Sequence, residues 1–546
     1  MAIKEGIAVV GMDCRYPGAH SIKQFWENII NLRQEFRLIP EKRLNLNYYY
    51  DNDKSASDFT YSKLAAVLEG YKFDRIKYKI SKSTFEQTDL THWLALDVAS
   101  GAINDAGIDL SNRQIKERTG VIIGNSLTGE FARANLMRLR WPYVYRTLQA
   151  TLKEIQHEGL DEGLLLAKFE KLYKAPFPIP DADMLAGGLS NTIAGRICNY
   201  YNFNGGGYTI DGACSSSLLA ISNACEALEN NKLDIAIVGG VDLSIDPFEL
   251  IGFARNGALA TNEMEVFSAK SEGFWPGEGC GMVVLMRESY AKKNGYRIYS
   301  LIKGCGISSD GNGGMTRPKV ETQQLAMRRA YNDAGYDINT VSIFEAHGTG
   351  TSVGDEIELT AIVESLKNQE RKKPAVIGSV KQIIGHTKAA AGIAGFIKTV
   401  LSMDSRIIPP SKKYDTIHPV LERSKEIIST LSKSSRYVEN EILRAGISSF
   451  GFGGINVHVT LEEPEVNLKN IFKKKDDFVQ NIPHKYSNEI FCFFAQNHIE
   501  LIEKLKKYDA KITYLSRSNF VDLSSSLIQS LPSSSQCKLS IVANSV

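Results

Sequence analysis

Four clusters of small residues frame side chains able to do chemistry. The first, Gly205-Gly206-Gly207-Tyr208-Thr209-Ile210-Asp211-Gly212-Ala213-Cys214-Ser215-Ser216-Ser217, crowds glycines and hydroxyls around one cysteine, and an apolar pattern of helical period starts just after it. A sulfur on a tight strand-to-helix turn faces free N–H groups and the positive end of the helix dipole, which favour the thiolate, so Cys214 reads as a nucleophile. The other seven cysteines, at 14, 198, 225, 280, 305, 492 and 537, read as ordinary buried residues. The second cluster, Glu345-Ala346-His347-Gly348-Thr349-Gly350-Thr351 followed by Gly354-Asp355-Glu356-Ile357-Glu358, ends a strand in a histidine where a ligand can approach the backbone. The third, Gly378-Ser379-Val380-Lys381-Gln382-Ile383-Ile384-Gly385-His386-Thr387-Lys388-Ala389, repeats that placement. One such histidine would read as a satisfied core or surface residue; two, together with Cys214, argue for one shared site. The fourth, Gly446-Ile447-Ser448-Ser449-Phe450-Gly451-Phe452-Gly453-Gly454-Ile455-Asn456-Val457-His458, has glycines able to set backbone N–H groups against a developing oxyanion and phenylalanines able to close a channel. Phosphate cradling is the weaker reading, because no Lys-Ser/Thr follows.

These side chains need a frame. Short apolar runs at 7–11, 120–124, 234–240, 281–286, 341–346 and 375–378 read as buried strands, and helix-period segments at 94–106, 218–228, 322–334 and 389–401 alternate with them. That alternation predicts an α/β core from about residue 5 to about residue 463. After Leu461-Glu462-Glu463-Pro464 the charged run Lys473-Lys474-Lys475-Asp476-Asp477 reads as an exposed linker. A strand at 489–495, a helix at 499–508 and a serine-rich stretch at 524–535 then suggest a small docking or linker unit without chemistry of its own.

A length of 546 residues exceeds what one core of roughly 250 to 300 residues accommodates, so a second, smaller unit is expected. A formal charge of +2 gives no electrostatic reason to expect a nucleic-acid partner or a membrane surface. The chain lacks the paired cysteine spacing of zinc sites, so no metal is expected; nor does the spacing suggest a disulfide framework. No apolar stretch approaches the roughly 18 residues of a membrane span, and the N-terminus runs straight into a strand-like segment in place of a signal peptide. A reducing, cytoplasmic setting is expected.

Taken in order, the four clusters resemble the β-ketoacyl synthase (ketosynthase) domain of type I polyketide synthases, over about residues 5 to 463. The opening Gly11-Met12-Asp13-Cys14-Arg15-Tyr16-Pro17-Gly18-Ala19 is similar to the family's start, and the intervals from Cys214 to His347 and from His347 to His386 fit it. The resemblance implies an α/β, thiolase-like fold: a duplicated, five-layer αβαβα core with a mixed five-stranded sheet in each half, split at about 1–290 and 291–463, usually in a homodimer. It implies that residues 464–546 form a small α/β linker domain like the one between ketosynthase and acyltransferase domains.

The implied chemistry is decarboxylative Claisen condensation. Cys214 accepts an acyl group from a carrier-protein thioester, with the N–H groups of Cys214 and Phe452 as oxyanion hole. His347 and His386 hydrogen-bond the enolate formed from malonyl on the carrier. Lys381 orients the site through Glu358, and Thr349 and Thr351 match positions that bind the phosphopantetheine arm. The chain itself then binds no cofactor; its substrates ride on the phosphopantetheine of an acyl carrier protein, and an acyltransferase, in the same or a separate chain, is an implied partner. Ile383 and Ile455 depart from the family's usual Asn and Thr, and the segments at 88–93, 127–131 and 137–143 are closest to iterative, enediyne-type ketosynthases. Three rivals compete. A Cys/His thioester hydrolase would need neither the second histidine nor the lysine; a thiolase would need a second cysteine in the glycine-rich terminal motif; a ketosynthase that only passes acyl chains onward need not retain Cys214, His347 and His386 together.

Overall fold

The computed structural model describes residues 4–465 and 488–543, apart from 156–160, 314, 316, 368–370, 372, 438–441, 513–514 and 531–536. The charged run at 473–477 and the end of the serine-rich stretch lie outside the described residues. In chain order the main sheet contains β1 (Ile7–Arg15), β2 (Thr119–Gly124), β3 (Gly207–Ile210), β4 (Ile235–Asp242), β5 (Gly279–Arg287), β6 (Ser300–Ser309), β7 (Ile343–Glu345), β8 (Ala375–Gly378), β9 (Ile428–Ser429), β10 (Arg444–Gly451) and β11 (Ile455–Glu462). Their spatial order is β9-β8-β7-β10-β11-β6-β1-β5-β4-β2-β3.

That order contains one topology twice. From β3 to β1, and again from β8 to β6, the third strand of a set of five lies outermost, followed by the second, fourth, fifth and first. The senses of pairing repeat too: β1–β5 and β5–β4 are antiparallel and β4–β2 and β2–β3 parallel, as are β6–β11, β11–β10, β10–β7 and β7–β8 in turn. The sets are not separate sheets. The start of β1 pairs with β6 over Ile7–Val9, because both strands present open backbone edges there, and the two-residue β9 adds an edge.

The helices Ser216–Glu229 and Ala391–Ser405 lie between the two sets of strands and share one core with Val238, Val283 and Leu285 on one side and Ile447, Val457 and Val459 on the other. The second of these helices is buried almost all round, which is why its sequence is apolar on every face. Leu90–Ala106 and Asn191–Tyr201 cover the outer face of the first set, and Val320–Ala334 and Ser352–Leu366 that of the second. The result is the expected five layers. The sequence pattern misses β6 because Lys303, Gly304 and Gly306 interrupt its apolar run; both glycines are buried under the helix Val320–Ala334, where a Cβ would lie 2.2 Å from Ala330 O and 2.0 Å from Ala326 O.

Residues 489–495 form a strand as expected, paired with Cys537–Ala543 and covered by the helices His498–Ile512 and Arg517–Gln529 around Phe491, Phe493, Phe520 and Leu527. The serine-rich stretch begins inside a helix, where buried Ser524 donates to the Ile490 carbonyl. This unit docks on the main body where Ser516 Oγ donates to buried Glu35 (2.8 Å). No helix among the described residues is long and apolar enough to cross a membrane.

Candidate active site

Cys214 occupies a 3-10 turn, Ala213–Ser215, between β3 and the central helix Ser216–Glu229. The turn is tight enough to put Ala213 at φ +50°, a left-handed conformation disfavoured for a residue with a Cβ. It is held by Asp211 Oδ1 accepting the Ala213 N–H (2.9 Å) and by Ser216 Oγ, which accepts the Gly212 N–H and donates to the Ala213 carbonyl. The fourth cluster packs directly on it: Ser449 Oγ donates to the Cys214 carbonyl at 2.7 Å. A Cβ at Gly451 would lie 2.2 Å from Gly212 O, so only glycine lets the β10–β11 turn approach so closely.

His347 leaves β7 with its main chain clamped. Its own N–H and that of Gly348 donate to the Glu358 carboxylate (2.7 and 2.8 Å), while its carbonyl accepts from Lys381 Nζ (2.6 Å). Glu358 and Lys381 therefore meet at the His347 peptide, where the sequence suggested that Lys381 orients the site through Glu358. The ring is fixed by Nδ1 accepting the Phe450 N–H at 3.3 Å. His386 is anchored by its N–H to Trp275 O and by its carbonyl to the Gly277 N–H, 2.9 Å each, and its Nδ1 accepts the Lys388 N–H at 3.2 Å. The two rings are 5.4 Å apart at 86°.

Electrostatics sets the protonation of these groups. Burial, and then the Lys381 charge, push both imidazoles well below their usual range, so both are neutral near pH 7. A neutral imidazole whose Nδ1 accepts an N–H carries its proton on Nε2, so each ring is a donor from Nε2. The thiol of Cys214 differs from the thiolate suggested by its helix N-terminus. The residue is 7% exposed, and burial pushes the thiol up to about 12, opposed foremost by Lys381. Burial likewise lowers Lys381, offset by Glu345 and then Glu358, and raises Glu358 to about 7.

The Thr349 and Thr351 hydroxyls lie 3.1 Å apart on the loop after His347. Asp355 secures that loop by accepting the N–H groups of Gly350 (3.0 Å) and Phe267 (2.7 Å). Phe452, at 43% the most exposed of the predicted site residues, starts an aromatic chain that runs through Phe253 and Phe274 to His386, with ring separations of 5.8, 5.2 and 4.9 Å. The sequence does not single out Phe253, Phe274 or Lys398, and it gives no role to Asp355 or to Glu345 of the second cluster, the latter forming a buried pair with Lys398 (2.6 Å). Lys398 left a signal: a charge inside the otherwise apolar run Ala391–Ser405 requires a buried partner.

Two copies of one strand topology, packed face to face over paired central helices, make this a thiolase-like fold. The chain belongs to the β-ketoacyl synthase family: the family's N-terminal domain matches residues 4–291 and its C-terminal domain residues 299–415. It is thus an enzyme of the class that transfers acyl groups and condenses them. It is 33% identical over 473 residues to a polyunsaturated fatty acid synthase subunit of Thraustochytrium sp., a match covering 84% of this chain and 16% of that protein. It is 33% identical over 468 residues to a phenolphthiocerol/phthiocerol polyketide synthase subunit of Mycobacterium tuberculosis, covering 85% of this chain and 23% of that one. The chain thus spans only a small part of the length of these relatives. Among solved structures, the oxazolomycin ketosynthase domain OzmH KS7 of Streptomyces albus superposes with a TM-score of 0.71 at 25% identity, covering 99% of this chain and 86% of that one. The ketosynthase from module 6 of the bacillaene synthase of Bacillus subtilis gives 0.69 at 27% identity, with 99% and 87% covered.

Proposed function

We propose that this chain elongates acyl chains carried on the phosphopantetheine of an acyl carrier protein, within a polyketide-type synthase. Cys214 Sγ attacks the acyl thioester; its S–C bond forms as the carrier's C–S bond breaks, and the thiol proton passes to the departing pantetheine sulfur. The Lys381 charge favours the sulfur anion as it develops. The N–H groups of Cys214 and Phe452 serve the tetrahedral oxyanion, and the Thr349 and Thr351 hydroxyls the pantetheine arm. Malonyl thioester follows, and loss of carbon dioxide leaves an enolate whose oxygen accepts from Nε2–H of both His347 and His386. The enolate carbon attacks the acyl-Cys214 carbonyl, the C–S bond breaks, and the thiolate takes a proton from solvent. The product is a β-ketoacyl thioester two carbons longer.

The observation that carries this reading is the shared tautomer. A Cys/His hydrolase needs an imidazole lone pair free to take a proton, whereas both Nδ1 atoms here are engaged by backbone N–H groups. The test is incubation with acyl- and malonyl-carrier protein, read by mass spectrometry. A longer carrier-bound β-keto product is expected; free acid, or loading without carbon dioxide release, overturns the proposal. Cys214→Ala should abolish loading, and His347→Ala should spare loading more than condensation; equal loading of Cys214→Ala would contradict the assignment.

The proposal extends to the ketosynthase region 1–463 with halves meeting near 290, the 464–546 linker domain, an acyltransferase in the same or a separate chain, and a cytoplasmic setting that suits eight free cysteines. It includes a homodimer. β3 is an open sheet edge with Tyr208 exposed, and Leu136, Met137, Leu139 and Tyr143 are exposed in the same first half, a surface suited to a second copy. The subclass proposed is the iterative, enediyne-type group, on the segments at 88–93, 127–131 and 137–143, and product analysis over successive cycles tests it.

A further inference from the structure

Lys388 lies two residues beyond His386, at the start of the 3-10 turn Lys388–Ala390. It has φ +49°, the left-handed conformation that a residue with a side chain seldom adopts. That conformation belongs to the backbone segment that delivers the Lys388 N–H to Nδ1 of His386 (3.2 Å). The side chain, 5% exposed, runs back across the fold into the end of β4. Its ammonium lies 3.0 Å from Asp242 Oδ1 and 3.1 Å from Glu249 Oε2, and donates to the Ser244 carbonyl at 2.9 Å. Asp242 Oδ2 in turn accepts the Ala389 N–H at 3.3 Å, so the carboxylate grips both the lysine head and the backbone next to it. Asp246, which caps the helix carrying Glu249, is held separately by Arg133. A lysine is buried only where its charge is matched, and this one is matched by residues from two elements that play no direct part in the proposed chemistry.

We propose that Lys388, Asp242 and Glu249 are positioning residues for condensation: their ion cluster pins the strained backbone at 388 so that its N–H holds His386 as the Nε2–H donor. The role rests on His386 donating to the thioester oxygen, as proposed for the condensation step. Without the pin, the backbone at 388 relaxes to an ordinary conformation, the N–H leaves Nδ1, and the imidazole is free to place its proton on either nitrogen.

Glycine separates this role from a merely structural one. Removing Lys388 alone would strand the buried Asp242 carboxylate and the partly buried Glu249, so the variants are made in a neutral background. Lys388→Gly/Asp242→Asn/Glu249→Gln keeps a residue that adopts positive φ without strain, whereas Lys388→Met/Asp242→Asn/Glu249→Gln does not. Both should load Cys214 from an acyl carrier thioester much as the wild type does. Decarboxylation of malonyl carrier should fall about 10- to 100-fold in the Met variant, the size usual when an imidazole loses its orienting partner, and be largely restored in the Gly variant. In full-length protein labelled with [15N]histidine, the His386 resonances, assigned with His386→Ala, should report an unprotonated Nδ1 in wild type and the Gly variant and tautomer averaging in the Met variant. Equal decarboxylation by the two variants, or a protonated Nδ1 in wild type, overturns the proposal. If His386→Ala itself left decarboxylation unchanged while the tautomer pattern held, the reading of the function would fail and the pinning of His386 would stand.

Discussion

An alanine at Gly451 would place its methyl carbon 2.2 Å from Gly212 O and 2.8 Å from Ser215 Oγ, both part of the turn that carries Cys214. Real Cβ contacts do not fall below 3.0 Å, so the β10–β11 turn and the Cys214 turn must part by at least about 0.8 Å. Neither surface can yield cheaply. The oxygen belongs to backbone, and the turn is tied to β10 through Ser449. Overpacking of this kind costs about 1–3 kcal/mol of stability, and a displacement approaching 1 Å in a reacting group costs about 100-fold in rate. Gly451→Ala should therefore lower the rate of acyl loading on Cys214 by about two orders of magnitude while the melting temperature falls only a few degrees. Intact-mass measurement of the acyl-enzyme against time gives the rate, and circular dichroism the melt. Gly335→Ala is the control, since its φ of +73° makes alanine strained there but nothing lies within 4 Å of the new Cβ. It should lose stability and keep its loading rate. A folded Gly451→Ala protein that loads at the wild-type rate would refute the idea that this glycine sets the distance between the fourth cluster and the thiol.

Alkylation of Cys214 by iodoacetamide in the free enzyme should keep accelerating with pH well beyond 9, because burial holds the thiol near 12; a plateau between pH 7 and 8 would show a preformed thiolate. Glu358 is raised by burial to about 7 from a usual 4.5, so the stability linked to its protonation is present below about pH 4.5 and lost as pH rises through 7. The stability difference between wild type and Glu358→Gln should accordingly move by about 3 kcal/mol against the wild type between pH 4.5 and 8 in urea melts, and a pH-independent difference would contradict that protonation. Lys398→Met strands the buried Glu345 carboxylate and should cost about 3–5 kcal/mol, whereas Lys398→Met/Glu345→Gln should recover most of it; equal melts for the two would deny the pair its structural weight.

The residues proposed to carry the chemistry stand out in the sequence because their neighbours announce them. Glycines and hydroxyls around Cys214, and strand ends running into His347 and His386, are local patterns fixed by what a tight turn or a strand exit permits. The alternation of apolar runs likewise gave the α/β class and most of the buried strands, since a strand buried on both faces must be apolar throughout. Tertiary structure decided what depends on residues far apart in the chain. Whether Cys214 is thiol or thiolate turns on its burial and on a lysine 167 positions away, and which imidazole nitrogen holds the proton turns on the Phe450 and Lys388 N–H groups. The ion cluster of Lys388 with Asp242 and Glu249 joins the two halves of the chain, and no local pattern records it, because Coulomb attraction and desolvation depend on distance in space and not along the sequence.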